Sequence, residues 1–75
     1  MNSEWLAELY KKYDRGDYIS SSDLDSAIDN LEFILCFLKN LGDRFHFVWR
    51  ELFLFQEGLY KRKLYTRNYY KYYSV

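Results

Sequence analysis

The stretch between the serines at 20–22 and Gly42 leaves this chain the least conformational freedom. Leu24, Ala27, Ile28, Leu31, Ile34, Leu35, Leu38 and Leu41 recur there at three- and four-residue spacing. On a helical wheel they fall within about 140° of arc. A stripe that wide predicts one amphipathic helix over about 22–41, and its apolar side has to be covered by other parts of the chain. Ser22-Asp23-Leu24-Asp25 puts an acid three residues after a serine, the spacing of a capping box with aspartate in place of glutamate. Gly42 supplies the stop. The Gly42-Asp43 break is so short that the next helix must fold back antiparallel against this one.

The flanking segments supply the cover. Trp5, Leu6, Leu9, Tyr10 and Tyr13 share one helical face, predicting a helix over about 3–15 with Ser3 or Asn2 as its cap and Gly16 just past its end. After Asp43, Phe45, Val48, Trp49, Leu52, Phe53, Phe55, Leu59 and Tyr60 occupy about 160° of a wheel. Phe45, Phe47, Trp49, Phe53 and Phe55 also alternate, so a β-hairpin turning at Gly58 competes with a helix over about 43–70. Gln56-Glu57-Gly58 is a poor hairpin turn and Glu51 breaks the alternation, which favours the helix. The fold class expected is an all-α unit of three helices in a single domain.

A continuous third helix has a consequence. Phe47, Leu54, Gly58, Tyr65, Tyr69 and Tyr72 lie opposite its main stripe, so it carries two apolar faces where a three-helix core needs one. The second face implies a partner or another copy of the chain, and a glycine in that row would admit a close backbone. Seventeen aromatics in 75 residues fit this reading, since so small a core cannot absorb them all. Most of the phenylalanines, both tryptophans and the early tyrosines are expected in the core. Phe33 and Phe37 are expected to stay outside.

The formal charge of zero conceals a dipole. Residues 1–38 carry eight acids and three bases, and residues 39–75 carry three acids and eight bases. Asp25, Asp29 and Glu32 form an acidic row opposite the leucines of the second segment. It reads either as a solvated face pairing with bases of the neighbouring segment or as a phosphate-like row shown to a basic groove. The end of the chain places Lys61, Arg62, Lys63, Arg67 and Lys71 among six tyrosines including Tyr65, Tyr69 and Tyr70. Such interleaving is also found in single-strand nucleic-acid binders.

Catalysis needs convergent reactive groups. The chain has one histidine and one cysteine and no phosphate-cradling glycine motif. Cys36 and His46 fall far short of the ligands a zinc site needs. Cys36 is expected partly buried against a neighbour, and His46 on the helix surface. No enzyme, metal or cofactor is expected. The longest apolar run, Phe33 to Leu38, is too short to span a bilayer. The first residues show no basic or apolar leader, so a cytoplasmic protein is expected.

In general character (tiny, cysteine-poor, single-domain and built to touch something) the chain is similar to small inhibitors encoded by viruses of bacteria. Lys, Asn, Ile, Phe and Tyr make 28 of its 75 residues, as AT-rich genes tend to encode. The resemblance implies a protein that blocks a host defence or nucleic-acid-handling enzyme. The function expected is an inhibitor or adaptor that occupies a surface of a larger protein through Phe47, Leu54, Tyr65, Tyr69, Tyr72, Asp25, Asp29 and Glu32, with a homodimer compatible. The alternative is a nucleic-acid-binding module using Lys61, Arg62, Lys63, Arg67, Lys71 and Tyr70.

Overall fold

The computed structural model describes the backbone of residues 3–73 and the side chains of residues 4–65. It is all-α. Helix α1 spans Ser3–Arg15, α2 Ser21–Asn40 and α3 His46–Tyr73, with a single 3₁₀ turn at Asp43–Phe45 leading into α3. The expected helices are therefore present. The third passes through Gly58 without a break, which removes the β-hairpin alternative. Leu52, Phe55, Gln56 and Leu59 repeat at helical period along it, and this outweighs the alternation of the rings.

Local signals fix each helix end. Gly16 has φ of 77°, a left-handed value that suits a residue without Cβ. Its N–H donates to the Tyr13 carbonyl at 3.1 Å, and the Asp17 N–H to the Lys12 carbonyl at 2.9 Å. This is the paired pattern of a Schellman stop. The cap of α2 corrects the sequence reading: it is Ser20, whose hydroxyl accepts from the Asp23 N–H at 3.1 Å, and not Ser22. Packing selects it from the three adjacent serines. With Ser20 as the cap, Ile19 and Leu24 take the two positions of a hydrophobic staple, and both are buried in the core. Gly42, at φ of 92°, turns the chain into α3.

Helices α2 and α3 form an antiparallel hairpin. The Gln56 amide donates to the Ile28 carbonyl at 3.2 Å and to the Glu32 carboxylate at 2.9 Å, and two turns further on Lys63 pairs with Asp25. Along one flank of the hairpin, α1 runs in the direction of α3. Tyr10 meets Phe55 edge-on at 4.9 Å, and Arg62 donates to the Tyr13 and Asp17 carbonyls at 2.7 and 3.0 Å. The core is mainly aliphatic: Leu6, Leu9, Ile19, Leu24, Ala27, Ile28, Leu31 and Leu59, with Phe55.

That composition corrects the expectation for the aromatics. Among the described side chains only Phe55 is a buried ring, while Trp5, Tyr13, Trp49 and Phe53 are half-buried. Three helices meeting along one line give each only a narrow interior arc, and leucine and isoleucine fill it. Length limits the core as well. Thirteen residues make α1 about 20 Å long, against about 30 Å for the twenty of α2. Since Tyr10 lies against Phe55 and α1 begins seven residues earlier, its first turn reaches only to about the level of residue 48. The turn end of the hairpin extends beyond its cover.

Candidate interaction surface

The uncovered hairpin tip carries a run of exposed apolar side chains. Phe37, Leu41, Phe45, Phe47 and Val48 are all exposed within twelve residues, and Phe47 shows 80% of its surface. Phe45 and Val48 belong by periodicity to the main stripe of α3, so the sequence reading placed them in the core. The first turn of α1 reaches only to about the level of residue 48, so Phe45 lies past it and Val48 at its margin. At the Gly42 turn, between the ends of α2 and α3, lies a cavity of about 250 Å³. Leu38, Phe45 and Trp49 supply its apolar wall, and Lys39, Asp43 and His46 its polar edge. The Trp49 ring is kept in place by stacking on Phe53, with centroids 5.1 Å apart and planes 8° from parallel. His46 is exposed, as expected, and its ring meets Phe47 edge-on at 6.4 Å.

The second face of α3 is present but sparse. Leu54 is exposed and Tyr65 shows 74% of its surface, while Arg50, Glu57 and Lys61, also exposed, interrupt the row. Gly58 does not belong to it. A Cβ added there would lie 2.6 Å from Cζ of Tyr13. The close approach that the glycine allows is thus made by α1, not by a second molecule. Phe33 and Phe37 are exposed on the outer side of α2, as expected, and Cys36 beside them is exposed and not partly buried. It lies on the arc of α2 facing away from both other helices, so nothing is near enough to cover it.

The acidic row is partly engaged within the fold. Asp25 pairs with Lys63, Glu32 accepts from Gln56, and Asp29 is exposed. Gln56 is a buried polar side chain that the sequence reading overlooked. Its position between Leu52 and Leu59 on the core stripe was the available signal. Among the bases, Arg62 caps the end of α1 and its guanidinium lies 4.6 Å from the Tyr13 ring centroid. Lys61, Arg62 and Tyr65 border a shallow depression with Tyr18. The side chains of Arg67, Tyr69, Tyr70, Lys71 and Tyr72 lie outside the described residues.

No cluster of three or more potential metal ligands occurs among the described residues. No helix among them is long and apolar enough to cross a membrane. The chain matches no protein-family model, no curated protein and no solved structure.

Proposed function

We propose that this chain acts by docking its hairpin tip onto a larger protein, as an inhibitor or adaptor that occupies a surface. The observation carrying this reading is the exposure of Phe37, Leu41, Phe45, Phe47 and Val48 within twelve residues of the hairpin turn, where Phe45 also lines a cavity with Leu38 and Trp49. Large exposed apolar side chains this close together in a chain are candidates for an interface, and buried aromatic anchors supply most of the energy at interfaces. Leu54 and Tyr65 on α3 and Phe33 on α2 are exposed as well.

Affinity capture from cells of the native source, with identification by mass spectrometry, tests the reading when tip variants are run beside the wild type. A protein retained by the wild type and lost by Phe47→Glu and Val48→Glu is the expected result, provided both variants keep the wild-type circular dichroism. Capture that neither tip substitution alters would overturn it.

A further inference from the structure

We infer that the open end of the molecule, between Tyr18 and Tyr65, binds single-stranded nucleic acid. Two rings and two cations meet there. Tyr18 and Tyr65 are 79% and 74% exposed, the two most open tyrosines among the described residues. They come from different elements, the loop after α1 and the second half of α3, yet both line one depression of about 580 Å³. Lys61 and Arg62 line it with them. Exposed rings give unpaired bases a surface to stack on, and cations beside them hold the phosphates. A duplex suits the site poorly, because its bases are stacked on one another and offer no free face.

The surroundings favour a strand over a single nucleotide. A second depression, of about 570 Å³, is lined by Tyr13 and Arg15 and shares Gly16, Lys61 and Arg62 with the first. Two adjoining depressions along the same pair of cations suit successive nucleotides. The acids lining them are Asp17 and Asp14, and the Asp17 carboxylate is already held by Arg15 at 3.0 Å. Asp25, the nearby acid of α2, is taken by Lys63. Lys61 has no ion pair among the described residues, and Arg62 donates to neutral carbonyls, so both keep their charge. From Leu59 onward the sequence adds Arg67 and Lys71 and not one acid. Phosphates are the complement that this end lacks. The hairpin tip has no such excess, since Lys39 and Asp43 line its cavity together.

Fluorescence anisotropy of the full chain with labelled oligonucleotides about twelve nucleotides long, in about 25 mM salt, tests the inference. The probes are a thymidine strand, a uridine RNA strand, an abasic strand and a duplex. The thymidine or uridine strand should bind, more weakly as salt rises, and the tighter of the two names the sugar. The abasic strand, with the same phosphates and no bases, should bind about tenfold more weakly, and so should the duplex. Tyr18→Ala and Tyr65→Ala should each weaken the strand about tenfold. Lys61→Gln should flatten the slope of log affinity against log salt by about 0.7. All three positions are exposed, and an unchanged circular dichroism spectrum verifies the fold of each variant. No binding up to roughly 100 µM strand, an abasic strand or duplex bound as tightly as the strand with bases, or tyrosine variants that bind like the wild type overturn the inference. So does a protein captured from nuclease-treated extract that Tyr18→Ala loses, because a protein then occupies this end. Phe47→Glu lies about 27 Å away along α3 and should leave strand binding unchanged, so this inference and the docking reading fail separately.

Discussion

The two ends of the α2–α3 hairpin are built from the same kind of residue and put to opposite use. At the open end Tyr18, Leu64 and Tyr65 are exposed, but the groups at the junction with α1 are engaged within the chain. Tyr13 lies over Gly58 and under the Arg62 guanidinium, and Arg62 holds the carbonyls of Tyr13 and Asp17. Ile19 and Leu24 close the hydrophobic staple, and Leu59 is completely enclosed. At the turn end the same apolar stripes continue through Leu38, Leu41, Phe45 and Val48, and no helix lies across them. What separates the two is the length of α1 and not composition. Periodicity tells which way a side chain points; whether it is buried depends on how far the covering element runs.

The largest effect that tests this contrast is at Leu59, the centre of the covered region, with 0% of its surface exposed. Leu59→Ala should destabilise the chain by about 3 kcal/mol, from lost transfer energy and the cavity left behind. A single core of this size rarely nets more than about 3–5 kcal/mol. The variant should therefore be largely unfolded at 37 °C by circular dichroism. A loss below about 1 kcal/mol in urea titration would mean that the core is not centred on the junction of the three helices.

A smaller effect, with a sign that depends on the background, is expected at Gly58. Helix propensity alone makes Gly→Ala favourable by about 1 kcal/mol. The new Cβ would stand 2.6 Å from Cζ of Tyr13, a ring held between Phe55, at 5.3 Å, and Arg62. Gly58→Ala should thus destabilise by about 1 kcal/mol, as overpacking does. In a Tyr13→Leu background the same change should stabilise, because the obstructing atoms are gone. The urea midpoints of the four proteins read the coupling directly. Additivity would show that α1 does not sit against Gly58 in solution.

Much of this fold is legible in the sequence, and the reason is local. The stripe from Leu24 to Leu38, the stop at Gly16 and the turn at Gly42 each depend on residues close together in the chain, and α1 and α2 appear within one residue of their expected ends. Distant partners govern what was missed. Gly58 sits in an outward row by wheel angle, yet its role is set by Tyr13, forty-five residues earlier. Gln56 looks like a polar interruption until the Ile28 carbonyl and Glu32 are brought opposite it. Phe47, Leu54 and Tyr65 are exposed as the second-face argument requires. The exposure of Phe45 and Val48 beside Phe47 in the chain became visible only once α1 was seen to stop short.

Val48 gives the smallest effect and the sharpest test of the comparison. By wheel angle it lies between Leu52 and Phe55 on the core side of α3, and a fully buried valine contributes about 1.5–3 kcal/mol relative to an exposed one. In the structure it is 49% exposed, at the margin of the first turn of α1. Valine and serine differ little in helix propensity, so Val48→Ser should change the urea midpoint by no more than about 0.5 kcal/mol. A loss near 2 kcal/mol would mean that something covers the tip in solution. Dilution then separates the two sources of cover. A loss that persists in dilute protein places the cover within the chain and ends the contrast between the two ends. One that fades as the protein is diluted assigns it to a second copy. A near-zero value at every concentration leaves Val48 free for a partner. Its apolar surface is then costless to the folded chain when removed and costly only to whatever docks there.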